Sequence, residues 1–456
     1  MQREHFGTRI GFIFMSASCA IGLGNIWRFP FLAGTYGGGL FLIIFVACML
    51  LLGLPIMSME FSVGRASQKA IIKSFDELQP KGTKWSIFGW FGMFGNYILM
   101  MFYCVVAGWM GYYFVKMVRG DLVGATPDQV GGSFGGMLGN PGLMMGWDVA
   151  IVILGLLVCA LGLRKSVERV TKVMMSGLMI ILIVLTIHGF TLPNAGEGLK
   201  FLFVPRLEVL QEHSIFTIIF AAMGQAFFSL SIGMGSMAIF GSYIGKERRL
   251  FGESVYVGAL DLTVSILSGI VMFTAISAYA LNPAAGPGLV FIALPNVFAN
   301  MPGGQFWGSM FFLFISFAAF TTVIAVFENL VACLMDKFGW SRVKASLVNL
   351  PLVILGGVPI ALGFNVWEGV QPMGEGTVFL DLYDFVLSNN ILPLGSLIYV
   401  LFCMVKKGWG WDNFIAEVNT GNGLRFPTNI RWYFTYILPA AIILIFVMGY
   451  INMFVG

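Results

Sequence analysis

The stretch Ala20-Ile21-Gly22-Leu23-Gly24-Asn25-Ile26-Trp27-Arg28-Phe29-Pro30 lies within an apolar segment of the chain. Its glycines and polar residues are unfavourable inside a membrane helix, because glycine costs about 1 kcal/mol relative to alanine and unsatisfied backbone groups cost several times more in hydrocarbon. A helix interrupted here would expose carbonyls at the end of its inner half and amides at the start of its outer half. The carbonyls suit a small cation, and the amides suit a carboxylate.

The whole chain has the composition of a membrane protein. Of its 456 residues, 58% are hydrophobic and only 11% are charged. Apolar runs long enough to cross a hydrocarbon layer of about 30 Å recur along the chain, which leaves no room for a soluble domain. We therefore expect an all-α polytopic membrane protein with eleven transmembrane helices, near residues 9–31, 38–62, 86–118, 148–163, 170–190, 214–244, 254–281, 304–337, 342–362, 377–404 and 430–454.

The distribution of basic residues predicts the orientation. Most of the 26 Lys and Arg residues fall in segments that face the cytoplasm if the N-terminus is cytoplasmic, and the C-terminus then lies outside. The formal charge of +4 is explained by this topology, so we expect no nucleic-acid partner. The six cysteines lie in apolar spans without a CxxC pair, which argues against disulfides and a zinc site.

The opening motif has a counterpart in the second half of the chain. Ile21-Gly22-Leu23-Gly24-Asn25 resembles Ile232-Gly233-Met234-Gly235-Ser236, which lies in the sixth predicted span. An offset of five spans predicts an inverted repeat of residues 9–190 and 214–404 within one transporter domain, 1–456, with helices 1 and 6 broken at the midplane and 430–454 as an added helix. The alternative is that the glycines only allow close helix contacts.

Charged residues near the ends of spans suggest gates. Arg28 and Asp384 would both lie in the outer vestibule, where they could close the external path or form a purely structural ion pair. Arg3 and Asp336 could close the inner path in the same way, or remain two separate interfacial charges.

Two further groups of polar residues lie inside predicted spans. Ala318, Thr321 and Thr322 share one helical turn and offer oxygen ligands for a monovalent cation, although membrane threonines also bond to their own helix. Tyr103 lies at mid-depth in the third span, where its hydroxyl would need a partner if buried. It could equally serve only to pack the helix against its neighbours.

Several motifs resemble those of the neurotransmitter:sodium symporter family, also abbreviated NSS or SNF. They are "GLGNIWRFP" from Gly22, "FFSLSIGMG" from Phe227, "TKVMM" from Thr171, "LPNAGEGLKF" from Leu192 and "FLDLYDF" from Phe379. In character, the chain resembles the bacterial multi-hydrophobic amino-acid transporters. The resemblance implies a multi-pass protein of the bacterial inner membrane that imports an amino acid with Na+ by alternating access, without an obligatory protein partner.

The resemblance also implies the site residues. One Na+ site would use Ala20, Asn25, Ser229, Asp261 and the substrate carboxylate, and a second would use Ser18, Ile21, Ala318, Thr321 and Thr322. The substrate would contact Ala20, Leu23, Gly24, Leu99, Tyr103, Phe228, Ser231, Met234, Thr322 and Val326. Glu60 would accept hydrogen bonds from the broken sixth helix.

Departures from the family pattern bear on the substrate and on chloride. No acidic residue lies next to Ala20, which favours a zwitterion over a monoamine, and the flexible Met234 favours bulky hydrophobic or aromatic L-amino acids. Phe45 replaces the tyrosine of chloride-dependent members, and Asp261 supplies a negative charge, so we expect no chloride requirement. The alternatives are a narrow-specificity symporter, for tyrosine or small neutral amino acids, and a channel-like ion conductor. No arrangement of residues typical of an enzyme is present.

Overall fold

The computed structural model describes residues 5–279 and 288–454, and all named elements in these ranges are helical. Within the described residues, nine helices are long and apolar enough to cross a membrane, and ten spans result if a bent helix pair counts as one. The expected all-α membrane fold is confirmed. Numbered as the eleven predicted spans, these nine helices are the second (Gly39–Ser67), third (Ile87–Arg119), fourth (Pro141–Ala160), fifth (Leu163–Thr191), seventh (Leu250–Ala278), eighth (Gly304–Phe338), ninth (Arg342–Leu362), tenth (Phe379–Met404) and eleventh (Tyr433–Ile451). The bent pair is the predicted first span, and the predicted sixth span is not among these ten.

The first span is the bent pair. Its two halves are Arg9–Ala20, called the inner half after the predicted orientation, and Gly24–Thr35, called the outer half, and the span bends by 54° between them. Ile21 adopts an extended conformation that ends the inner helix. Pro30 lies in the first turn of the α-helical part of the outer half, where a missing backbone N–H disturbs the helix least. The predicted interruption is thus present in the opening motif.

The sixth span is divided into two helices, Ile215–Ser229 and Ser236–Gly241, neither of which is long enough to cross a membrane alone. The intervening turn contains three residues with positive φ, namely Ser231 at 50°, Gly233 at 95° and Gly235 at 73°. Because a left-handed backbone is strained for most residues, the two glycines are the residue type that this turn needs. The turn accounts for the second predicted interruption.

Three spans, the second, fourth and fifth, extend clearly beyond their predicted bounds, and for two of them the contacts are identifiable. The fourth begins at Pro141 rather than near residue 148, because the Asn140 side chain caps the helix by accepting from the Leu143 amide at 2.9 Å. The second continues to Ser67 and so includes Arg65. This arginine is fully buried, but its guanidinium bonds to the Glu417 carboxylate at 2.5 Å and to a backbone carbonyl, that of Arg248, at 2.6 Å.

Shorter helices connect the spans, at Ile71–Leu78, Pro127–Leu138, Ala195–Phe203, Leu207–Gln211, Leu289–Asn300 and Trp411–Val418. The third and eighth spans pack against each other, and the inner half of the first span lies against the fifth and eighth. The two interruptions face the third, eighth and tenth spans around one cavity. The inverted repeat of residues 9–190 and 214–404 remains a prediction.

Candidate functional site

A cluster of four polar side chains lies beside the interruption of the first span. Asn25 Nδ2 donates to Asp261 Oδ1 at 2.8 Å, to Ser265 Oγ at 2.8 Å and to Ser229 Oγ at 3.2 Å. The Ser229 hydroxyl donates in turn to Asp261 Oδ2 at 2.7 Å. All four side chains are fully buried.

The charge of this cluster identifies what it can bind. Asn25 and Ser229, the two side chains that donate hydrogen bonds to the Asp261 carboxylate, are both neutral. A carboxylate removed from water is strongly destabilised without a compensating positive charge, so the cluster favours a cation. Its ligands are oxygens, the type preferred by hard cations. Three of the four residues predicted for the first Na+ site, Asn25, Ser229 and Asp261, therefore lie together, with Ser265 as an additional member. The fourth, Ala20, lines the neighbouring cavity.

A second group of oxygens lies between the first and eighth spans. The Thr322 hydroxyl oxygen is 2.9 Å from the Ser18 carbonyl, 3.1 Å from that of Ile21 and 3.2 Å from that of Ala318. The Thr321 hydroxyl donates to the Ala318 carbonyl at 3.0 Å. Because one hydroxyl has a single proton, it cannot satisfy three carbonyls at once. The five residues predicted for the second Na+ site thus form one oxygen-rich group that suits a small cation.

A narrow cavity lies between these two groups, with about 10 Å³ of space that the centre of a water molecule could occupy. It is lined by Cys19, Ala20, Gly22, Leu23, Gly24, Leu99, Tyr103, Phe228, Ser231, Met234, Thr322, Leu387 and Leu392. Of the predicted substrate contacts, only Val326 is not among the lining residues, although it is fully buried. Sequence reasoning missed Cys19, Gly22 and the two leucines of the tenth span.

The cavity has one polar end. The Leu23 amide donates to the Tyr103 hydroxyl at 3.1 Å, and the Ser231 hydroxyl donates to the Cys19 carbonyl at 2.7 Å. A Cβ atom on Gly22 would lie 2.3 Å from the Tyr103 hydroxyl oxygen, so only glycine allows this close approach. Backbone amides at the start of the outer half-helix attract negative charge. This end can therefore bind a carboxylate, while Leu99, Phe228 and Met234 form apolar walls.

The predicted outer pair, Arg28 and Asp384, is linked through a residue that the sequence analysis did not identify. The Arg28 guanidinium lies 3.6 Å from Asp384 Oδ1 and donates to Ser388 Oγ at 3.0 Å, while the Ser388 hydroxyl donates to Asp384 at 2.7 Å. Arg28 also lies 4.7 Å above the Phe228 ring. A vestibule of about 350 Å³ reaches both Arg28 and the Leu23 end of the cavity.

The predicted inner pair cannot be described as a pair, because Arg3 lies outside the described residues. Asp336 accepts from the Ala70 amide at 2.6 Å. The inner side of the first span carries another contact: Phe6 packs edge-on against Tyr243 with ring centroids 5.6 Å apart. The Tyr243 hydroxyl donates at 2.7 Å to Glu328, a buried residue of the eighth span.

Two buried side chains support the interrupted helices. Glu60 accepts from the Gly233 amide at 2.5 Å and from the Met237 amide at 3.3 Å, as the resemblance implied. Gln225 was not identified from the sequence, and its amide donates to the Gly24 carbonyl at 2.8 Å. An isolated glutamine in an apolar helix gave no signal of this role, because its partner is a backbone group.

Comparisons with known proteins agree with this architecture. A family model described as the Sodium:neurotransmitter symporter family matches residues 3–129 and 136–455. An uncharacterized sodium-dependent transporter of Bacillus subtilis, YhdH, is 34% identical over 97% of this chain and 96% of its own length. A sodium- and chloride-dependent taurine transporter of Rattus norvegicus is 25% identical over 99% of this chain and 78% of its own.

A solved structure is also similar. The crystal structure of MhsT in complex with L-phenylalanine has a TM-score of 0.88 and is 36% identical, covering 98% of this chain and 99% of that one. The agreement extends over the whole fold, and the family consists of transporters rather than enzymes. This chain therefore belongs to the sodium:neurotransmitter symporter family and is a sodium-coupled membrane transporter.

Proposed function

We propose that the protein imports bulky hydrophobic and aromatic L-amino acids by alternating access, with two Na+ sites and without chloride. Its N-terminus would be cytoplasmic, its C-terminus would be outside, and its membrane would be the bacterial inner membrane. The observation that carries this proposal is the division of the cavity into a polar end, at Leu23 and Tyr103, and apolar walls that include Leu99 and Met234.

The polar end favours a zwitterion. None of the residues that line the cavity has a charged side chain, so a substrate amine without a carboxylate would meet no counter-charge. An α-amino acid brings both charges: its carboxylate fits the Leu23 amide and the Tyr103 hydroxyl, and its ammonium fits helix-end carbonyls such as that of Ala20. The phenylalanine bound to MhsT, a structure of 36% identity, supports this substrate class.

The same geometry accounts for coupling to Na+. The first oxygen cluster is joined to the polar end of the cavity through the Gly22 amide, which donates to Asn25 Oδ1 at 3.0 Å. A substrate carboxylate bound at this end would complete the coordination of Na+. Each ligand would then raise the affinity for the other by the same factor, as linkage requires.

Two observations support independence from chloride. Asp261 places a carboxyl group within the first cluster, and its negative charge would take the role that chloride would otherwise have. Phe45 is fully buried against Phe29, with ring centroids 5.3 Å apart, and its ring has no hydroxyl to hold an anion. The rat relative is described as chloride-dependent, so this property would distinguish the two transporters.

The substrate class is tested by competition in liposomes that contain the full chain. Under an inward Na+ gradient, labelled leucine uptake is measured against unlabelled tryptophan, phenylalanine, glycine and phenethylamine, which is phenylalanine without its carboxylate. We expect inhibition by the two aromatic amino acids, weak inhibition by glycine and none by phenethylamine. Equal inhibition by phenethylamine would contradict the role assigned to the polar end, and inhibition by glycine alone would contradict the substrate class.

A further inference from the structure

The tenth span contains a wide turn next to the cavity. Its helix is α-helical over Phe379–Asp384, changes to π-helical geometry over Phe385–Ile391 and returns to α-helical geometry from Leu392. The Leu392 amide donates to the Leu387 carbonyl, five residues earlier. In an α-helix two residues five apart would differ in direction by about 140°. The wider π turn brings Leu387 and Leu392 closer to one face, and both line the cavity.

This part of the tenth span rests directly on the turn that carries Met234. A Cβ atom at Gly233 would lie 2.3 Å from the Leu392 carbonyl oxygen, and one at Gly395 would lie 1.7 Å from the Gly233 carbonyl oxygen. The two backbones therefore touch without intervening side chains. The third span adds a further contact, because a Cβ at Gly95 would lie 2.5 Å from Ile391. Leu387 and Leu392 are thus held close to Met234 and have little room to move away from it.

The same turn carries a residue of the outer pair. Ser388 follows Leu387 in sequence and bonds both Arg28 and Asp384. Leu387 and Leu392 are each only 1% exposed, so they belong to the interior of the site rather than to the vestibule.

We propose that Leu387 and Leu392 form a specificity wall that limits the size of the substrate side chain. This inference rests on the proposed function, and it assigns the size limit to the tenth span in addition to Met234. Because the π turn directs both leucines into one cavity, shortening either side chain would enlarge the same space. Lengthening Leu392 would fill it.

The test compares wild type with Leu387→Ala, Leu392→Ala and Leu392→Phe in Na+-driven uptake of leucine, with tryptophan and alanine as competitors. Each alanine variant should favour tryptophan over leucine at least about fivefold more than wild type does, since a single missing methylene changes discrimination by about tenfold or more. Leu392→Phe should weaken the binding of tryptophan at least about tenfold, while alanine should still bind. Leu397→Ala is the matched control on the same helix, because Leu397 does not line the cavity.

The outcomes separate this inference from the proposed function. Failure of wild type to take up any amino acid contradicts the proposed function and, with it, the wall. Normal uptake by wild type, with tryptophan-to-leucine ratios in the variants equal to that of Leu397→Ala, overturns the wall alone. If the alanine variants do not fold, Leu392→Val and Leu392→Met decide by the same ratio: a shift supports the wall, and an unchanged ratio overturns it.

Discussion

Two oxygen-rich groups lie on either side of the interruption in the first span, and they differ in charge. The group around Asp261 contains a buried carboxylate, whereas the group around Thr322 consists of backbone carbonyls and hydroxyls. The first can attract Na+ through a formal charge. The second depends on the positions of neutral dipoles. Substitutions in the first group should therefore have electrostatic effects on Na+ binding, and those in the second should have smaller effects that depend on geometry.

The largest effect is expected from Asp261→Asn, which removes the charge but preserves shape. Breaking a buried charge pair costs about 3–5 kcal/mol, so the Na+ concentration for half-maximal uptake should rise at least about 100-fold. Asp148→Asn is the matched control, because Asp148 is also a fully buried aspartate but belongs to the fourth span. If the half-maximal Na+ concentration rises no more in Asp261→Asn than in Asp148→Asn, the charge of Asp261 has no special role in Na+ binding.

A smaller effect is expected from Thr322→Val in the neutral group. The variant loses the hydroxyl that faces the carbonyls of Ser18 and Ile21, and a neutral hydrogen-bonding group contributes about 0.5–1.5 kcal/mol. The half-maximal Na+ concentration should rise about 3- to 10-fold. Thr274→Val is the control, since Thr274 is buried and, within the described residues, its hydroxyl bonds to carbonyls of its own helix. An effect as large as that of Asp261→Asn would remove the distinction between the groups.

Tyr103→Phe tests the polar end of the cavity that lies between the two groups. The hydroxyl contacts the Leu23 amide, so its removal should weaken amino-acid binding about tenfold. At saturating substrate, the Na+ dependence should change less than it does in Thr322→Val. Binding of labelled leucine at fixed high Na+ measures the first quantity. Unchanged leucine affinity would exclude the hydroxyl from carboxylate binding.

The smallest effect is expected from Ser265→Ala. Ser265 contacts Asn25 but is neutral, and Asn25 keeps its bond to Asp261. Half-maximal Na+ should therefore rise only about twofold to fivefold. A loss of apparent Na+ affinity as large as that caused by Asp261→Asn would mean that Ser265, rather than the carboxylate, dominates Na+ binding by the first group. Na+ titrations of uptake for both variants make the comparison directly.

The interruptions of the helices were accessible from the sequence because glycine pairs and polar residues are unfavourable inside membrane helices. The opening motif and its counterpart around Met234 lie at the two observed breaks. The grouping of Asn25, Ser229 and Asp261 came from the family resemblance, since residues that far apart in sequence have no local pattern that connects them. The structure brings them within hydrogen-bonding distance. Their role in binding Na+ stays a prediction.

Other parts of the site could not be predicted from periodicity. Leu387 and Leu392 are five residues apart, a spacing that an α-helical pattern assigns to different faces, and the π turn alters this. Ser388 could not be predicted, because the opposite charges of Arg28 and Asp384 suggest a direct ion pair without a bridging residue. The predicted second span, 38–62, excludes the buried Arg65, because a charged residue is unfavourable inside a span unless a partner such as Glu417 is known, and Glu417 lies beyond the tenth span.

The most direct test is uptake of labelled tryptophan and leucine into liposomes under an inward Na+ gradient. In one parallel experiment gluconate replaces chloride, and in another choline replaces Na+. The account predicts accumulation of both amino acids with Na+, undiminished when gluconate replaces chloride, and no accumulation with choline. Accumulation that requires chloride would contradict the role of Asp261 as the negative charge that replaces chloride. Accumulation with choline would contradict coupling to Na+.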